Sequence, residues 1–418
     1  MAYVRGLPLL LSAGAILLVG VLAVNLTRGQ LDELTLAAAA GLAVLWLAVY
    51  GVLRFAGHSG DGVLLPVAAV LTAVGLIMIL RLRPELFLIQ ALWVAVGSGA
   101  FVAAAFVFRR LEPWAEYRYV WGLIGVVLLV ATAIFGVEIG GNKNWLVLGP
   151  VRFQPSEFAK IFIVLFLAAY LNERKEVLAF ATKRYGPLTL PQPRFLAPLL
   201  AIWGVAMLML VMERDLGAAL LYFGTAAIMM YLASGRTSFL AWGAGLFIAG
   251  SGLAYLLYPH VRVRIDIWLS PWADPNGRAY QIVQSLFALG SGGALGSGLT
   301  YGYPNLIPEV HTDFIFAAVG EELGLAGAGA VVILYIILVY RAFRVALRAP
   351  EFFGALLAGG LAVLLALQVF VIIGGVTKFL PLTGVTLPFV SYGGSSIVAT
   401  FIVLGILYAL SEARAEHA

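Results

Sequence analysis

The chain has 418 residues, of which 62% are hydrophobic and only 11% charged, with a mean hydropathy of +1.00; soluble domains carry roughly 25% charged residues. That excludes an ordinary soluble domain and identifies a polytopic membrane protein. The lack of cysteine excludes disulfides and thiolate metal sites. The net charge of +5, spread over dispersed loop residues, gives no nucleic-acid-binding signature.

A hydrocarbon core of about 30 Å takes about 20 helical residues to cross. Apolar runs of that kind predict twelve spans, near 7–26, 34–55, 62–81, 87–108, 118–137, 157–171, 195–212, 216–233, 238–257, 314–340, 354–376 and 394–411. The expected fold is therefore an all-α polytopic membrane protein with about 12 transmembrane helices and one large extracytoplasmic loop, 258–313. Arg5 precedes the first run as it would in a signal peptide, but VLAVNLTRG offers no small-residue cleavage site, so the run reads as a membrane helix. With the N-terminus inside, 15 of the 26 Lys and Arg residues fall in cytoplasmic segments and ten in outer ones. That bias supports an even number of spans with both termini in the cytoplasm.

The polar exceptions carry the functional information. GGNKNWLVLGPVRFQPSEFAK, residues 140–160, sets Lys143, Trp145 and Arg152 at the outer end of the sixth span, then Glu157 and Lys160 inside it. Glu157 and Lys160 are three apart and share a helix face, so they can pair, and a structural ion pair would look the same. MERDLGAALL places Glu213, Arg214 and Asp215 at the next outer junction, where Asp215 can cap a helix. In the long loop, Arg262 and Arg264 precede a segment, 278–289, whose Ile282, Val283, Leu286 and Phe287 recur at helical spacing, predicting a helix in the membrane interface. Gly292 to Gly298 is a flexible or tight segment with no strand ahead of it, unlike a dinucleotide loop. EVHTDFIFAAVGEELG then sets His311, Thr312 and Asp313 against an apolar helix, with Glu321 and Glu322 two turns further in. Carboxylates at a membrane boundary are costly unless something uses them, and by pattern alone Asp313 reads first as a helix cap. The outer mouth gathers Lys143, Arg152, Lys160, Arg214, Arg262, Arg264, Arg278 and Lys378, a basic rim suited to a lipid-linked phosphate or pyrophosphate. Snorkelling loop residues would give the same pattern.

QPSEFAK, RDLGAAL, RVRIDIWLSPWADP, AYQIVQSLFALGSGGALGSGL, HTDFIFAAVGEELG and PLTGVTLPFVSYGGSS, in that order, resemble the signature series of the SEDS family, which contains FtsW, RodA and SpoVE. The likeness runs from roughly 62 to 411, so residues 1–58 form an extra N-terminal hairpin ahead of a core at 59–418. The resemblance implies a peptidoglycan glycosyltransferase that polymerises lipid II at the outer face of the membrane and releases undecaprenyl pyrophosphate. It makes Asp313 the catalytic residue, as general base or, alternatively, as holder of a divalent cation such as magnesium or manganese. It assigns substrate contacts to Lys160, Glu157, Arg152, Lys143, Trp145, Asp215, Arg262, Arg264 and His311. Ser391, Gly393 and Gly394 would allow close backbone approach at the mouth of the last span. The implied partners are lipid II, membrane lipids and a class B penicillin-binding protein. Three positions depart from the family pattern: Lys143-Asn144 stands for an Arg-Arg pair, Glu213-Arg214 for Gln-Pro, and Ile372 for an asparagine. A lipid II flippase is the alternative, but a transport path needs polar groups along its whole length, and here they concentrate at one end.

Overall fold

The protein is described here from a computed structural model, which covers residues 6–139, 142–149, 151–174, 182–185, 188–191 and 193–412. Arg5, Gly140, Gly141, Lys175 and Arg414, all used in the sequence reading, lie outside the described residues. In chain order the helices are α1 (Gly6–Thr27), α2 (Glu33–Phe55), α3 (Leu64–Leu82), α4 (Pro84–Val107), α5 (Glu112–Glu116), α6 (Arg118–Phe135), α7 (Pro155–Glu173), α8 (Pro193–Met212), α9 (Leu216–Ser234), α10 (Ser238–Leu257), α11 (Pro259–Leu269), α12 (Tyr280–Gly292), α13 (Ile315–Arg348), α14 (Phe352–Val376) and α15 (Gly394–Glu412). Eleven of them, all but α5, α8, α11 and α12, are long and apolar enough to cross a membrane. The seventh predicted span falls on α8, whose described apolar stretch is Ala197–Met212. Each predicted span thus corresponds to a helix, and the chain is a helical, polytopic integral membrane protein. Local chemistry sets several ends. Asp32 caps α2 by accepting from Leu34 N, prolines open α7 and α11 at positions whose amide needs no partner, and Gly235 closes α9 in a left-handed conformation.

The chain divides into two compact units. The first comprises Met1–Ala103, Ala254–Arg341 and Gln368–Tyr408. Here α1 packs on α2 and α3, with Gly14 against Ala43 and Gly20 against Ile77. A Cβ on Gly20 would lie 2.2 Å from the Ile77 side chain, so a small residue is what permits the approach. Arg341 pairs with Asp61 at 2.8 Å. The long α13 is broken at Gly324 (φ 65°, ψ −168°), and the glycine segment after α12 fills the break. Ser297 N and Gly298 N donate to the carbonyls of Glu321 and Glu322, while Leu325 N and Ala326 N donate to Gly293 and Ala294. Backbone groups orphaned by the break are satisfied by this loop. The glycine run is thus a tight plug: a Cβ on Gly296 would meet Glu322 O at 2.2 Å. Glu322 is fully buried and pairs with Arg81 at 3.0 Å, and Glu321 accepts from Tyr303 N at 2.8 Å, so both carboxylates organise packing.

Residues 258–313, the expected long loop, hold two helices and short 3-10 turns, because Pro259 nucleates α11 and an apolar stripe orders α12, the helix expected over 278–289. One expectation does need correction: the stripe packs largely against the protein itself. Ile282 and Val283 are buried, Ser285 donates to Val376 O at 3.0 Å, and Phe287, tilted against Trp272, is the exposed member of the stripe.

The second unit comprises Ala104–Leu253, Ala342–Leu367 and Ala409–Ala418. In it, α6 lies on α7, with Gly122 and Gly125 facing Phe166 and Ile163. Strands β1 (Val137–Ile139), β2 (Asn142–Leu148) and β3 (Val151–Phe153) form an antiparallel meander with Val137 opposite Trp145 and Leu146 opposite Phe153. A hairpin of β4 (Thr182–Tyr185) and β5 (Leu188–Pro191) follows. None of these strands was predicted; the left-handed Gly149 ahead of Val151 was the available turn signal.

Candidate active site

The first unit holds a cavity of about 150 Å³ in which one carboxylate, Asp313, shares the lining with Arg264, Arg278 and Lys378. Four segments build it. α11 supplies Arg264 and Trp268, α12 supplies Gln281 and Ile282, the turn before α13 supplies Asp313, and the loop after α14 supplies Lys378 and Gly384. Their positions are tied through backbone carbonyls. Arg264 donates to Thr383 O at 3.1 Å, Trp268 Nε1 to Lys378 O at 3.1 Å, and Gln281 to Pro308 O at 2.8 Å. Lys378 and Gly384 both have positive φ, of 61° and 73°, the sharp turns that bring this loop back over the cavity. A Cβ on Gly384 would stand 3.6 Å from Asp313 Oδ2, so the glycine keeps the carboxylate accessible.

Asp313 is half-buried. The first turn of α13 hangs from Phe314, whose carbonyl accepts from Ala317 N at 2.9 Å, so Phe314 occupies the capping position and Asp313 precedes it by one residue. Ser391 fixes the turn from behind: its hydroxyl donates to Thr312 O and accepts from Leu387 N, while Tyr392 N donates to His311 O at 2.9 Å. Gly394 allows close approach, since a Cβ there would lie 2.6 Å from Trp93, whereas Gly393 has its nearest neighbour at 3.6 Å and donates its amide to Gln90.

Other expected contacts lie elsewhere. His311 is buried and absent from the cavity lining; burial pushes its imidazole below the usual range, so it is neutral at pH 7. Arg262 is exposed and turned back onto the end of α10, donating to Leu256 O at 3.1 Å beside the Tyr255 ring. Arg278 and Lys378, assigned only to the outer mouth by sequence, line the cavity, as do Trp268 and Gln281, which were given no functional role. As a resident site for a divalent cation this lining fits poorly, because a single carboxylate stands among three cations. Among the described residues no group of three or more His, Asp or Glu side chains could hold a metal ion.

A second polar cluster belongs to the second unit. Lys160 is buried and pairs with Glu157 at 2.7 Å. Asp215 does cap α9, accepting from Ala218 N at 2.9 Å, and its other oxygen accepts from Asn144 at 3.0 Å. Beside it, Glu213 is fully buried with neither carboxyl oxygen hydrogen-bonded. Burial, then the nearby Asp215 charge, push its carboxyl up to about 8. Lys143 is half-buried and its amine donates to Ala133 O at 2.9 Å. Trp145 is half-buried on β2, and Arg152 is exposed on β3 opposite Val147.

A family model described as cell cycle protein, built on FtsW, RodA and SpoVE, matches residues 61–416. The peptidoglycan glycosyltransferase RodA of Mycobacterium tuberculosis H37Rv is 42% identical over 401 residues, 93% of this chain and 84% of that protein. Stage V sporulation protein E of Bacillus subtilis is 33% identical over 370 residues, 85% of this chain and 97% of its own. Among solved structures, Thermus thermophilus RodA gives a TM-score of 0.59 at 26% identity, covering 85% of this chain and 98% of that one. A chain of a peptidoglycan synthase complex, described as coordinating polymerization and crosslinking, gives 0.69 at 27% identity, covering 85% and 99%. The order of motifs, the helical membrane fold and the extent of these matches agree: the chain belongs to the FtsW/RodA/SpoVE family.

Proposed function

We propose that this protein is a peptidoglycan glycosyltransferase that polymerises lipid II at the outer face of the cytoplasmic membrane, with both termini inside. The observation that carries the reading is the cavity in which Asp313 is the one carboxylate beside Arg264, Arg278 and Lys378. Its chemistry matches what glycosyl transfer from a pyrophosphate demands. The 4-hydroxyl of an acceptor GlcNAc attacks the anomeric carbon of a donor MurNAc, and Asp313 takes the hydroxyl proton. The bond from that carbon to the pyrophosphate oxygen breaks, and its electron pair leaves with undecaprenyl pyrophosphate. The three cations offset the charge that develops there. In the second unit, exposed Arg152 supplies a further positive charge for lipid-linked phosphate, and Glu157 holds and orients Lys160. Because a related chain was solved in a complex coordinating polymerization and crosslinking, a class B penicillin-binding protein is the partner we expect.

The test is Asp313→Asn, nearly isosteric and unable to accept the proton. Purified with the partner in detergent, where no two compartments exist, the wild-type protein should polymerise lipid II and the variant should lose about 10²- to 10⁴-fold in rate while remaining folded. Polymerisation at the wild-type rate by the variant overturns the assignment. Absence of polymer from the wild type, with lipid II translocation in vesicles, would favour the flippase.

A further inference from the structure

The loop that closes the Asp313 cavity begins with a backbone conformation that most side chains avoid. α14 ends at Val376. Thr377 N donates to Ile373 O at 3.0 Å, Lys378 N to Gly375 O at 3.2 Å and Leu380 N to Gly374 O at 2.9 Å, so the chain turns back over the helix end. Such a turn sets one residue left-handed, a place that glycine usually takes. Here that residue is Lys378, with φ 61°. Of the five non-glycine residues with positive φ among the described residues, Lys378 alone lines this cavity.

A left-handed lysine is disfavoured because its Cβ crowds the following carbonyl, and it persists only where the surroundings fix it. The surroundings here are side chains of α11 and α12. Arg264 and Trp268, four apart and so on one face of α11, donate to Thr383 O and Lys378 O, each at 3.1 Å. From α12, the fully buried Ser285 donates to Val376 O at 3.0 Å. Carbonyls left over at the end of α14 thus find donors outside the helix. Ser285 and Arg264 act before and after the strained residue, whereas the Trp268 bond falls on Lys378 itself.

We propose, resting on the glycosyltransferase reading of this cavity, that Trp268 is a positioning residue: its indole N–H holds the left-handed turn that keeps Lys378 on the lining, where departing pyrophosphate gathers charge. Without that donor the Lys378 backbone relaxes toward negative φ, which carries its side chain to the other side of the chain. Arg264 and Arg278 remain on the lining. Stabilisation of negative charge should therefore fall by what Lys378 contributes and by no more.

That ceiling can be measured. Wild type, Trp268→Phe, Lys378→Gln and the double variant, each as the full chain in detergent, are titrated with inorganic pyrophosphate by calorimetry without divalent cation, and their lipid II turnover is followed beside it. Trp268→Phe keeps an aromatic ring and loses the donor. It should weaken pyrophosphate binding about threefold to tenfold, the range for one lost hydrogen bond, and lower the polymerisation rate by a similar factor. In the Lys378→Gln background the same substitution should change neither by more than about twofold, because the two residues act as one unit. Partial misfolding would lower the number of binding sites and leave the affinity as it was. Equal effects of Trp268→Phe in both backgrounds would overturn the proposal, since the indole would then act on the ligand or the fold directly. So would an unchanged affinity in Trp268→Phe, or a wild type that does not bind pyrophosphate. A wild type that binds pyrophosphate and makes no polymer would refute the glycosyltransferase reading alone, and the binding cycle would still decide this one. Should Trp268→Phe fail to fold, Ser285→Ala, which removes one hydroxyl from the same clamp, takes its place with the same expected coupling to Lys378.

Discussion

Replacing Lys160 by Met removes the cation from an ion pair whose N–O distance is 2.7 Å and whose side chains are 5% and 12% exposed. The Glu157 carboxylate is left where water hardly reaches it, and breaking a buried pair from one side costs about 3 to 5 kcal/mol. Lys160→Met should therefore be destabilised by about 3 kcal/mol. Adding Glu157→Gln removes the stranded charge and should restore stability to within about 1 kcal/mol of the wild type, as neutral replacement of buried pairs commonly does. Unfolding of the three proteins in mixed micelles measures this, with lipid II turnover followed in parallel. If Lys160 serves pyrophosphate as well, the double variant regains its fold and stays inactive. A double variant as unstable as Lys160→Met would refute the reasoning.

Three further outcomes follow from the geometry. Gly324→Ala should destabilise by about 3 kcal/mol in thermal unfolding, because its φ of 65° and a Cβ 2.2 Å from Gly296 N add backbone strain to overpacking; unchanged stability would mean the loop does not plug α13. Lys378→Gln should lower polymerisation about 10- to 100-fold with little effect on folding, the range for losing a charged hydrogen bond; full activity would remove this cation from the leaving-group role. Glu213 is raised to about 8 in the folded protein from 4.5, so the native state holds the extra proton and its contribution is complete below pH 4.5 and lost as pH rises through about 8. Glu213→Gln should flatten the fall in stability across that window by on the order of 5 kcal/mol, and an unaltered pH profile would show that Glu213 is ionised in the fold.

Much of the architecture was legible because a membrane leaves few options. Backbone groups in hydrocarbon must bond within their own segment, so about twenty apolar residues can form little but a helix, and each of the twelve runs is one. The pairing of Glu157 with Lys160 and the capping by Asp215 were legible for a similar reason: they depend on spacings of three residues within a single helix or turn. What distance along the chain conceals, only the tertiary structure decided. That Asp313 shares a cavity with Lys378 but not with Arg262 depends on left-handed turns at Lys378 and Gly384 and on α11, none of which leaves a periodic signal. The buried stripe of α12 reads in sequence like a membrane-facing one, because hydrophobic spacing records that a face is covered and not by what. The glycine run after α12 had no legible purpose until the break at Gly324 supplied its partner, since the two segments satisfy each other's backbone across some thirty residues of chain.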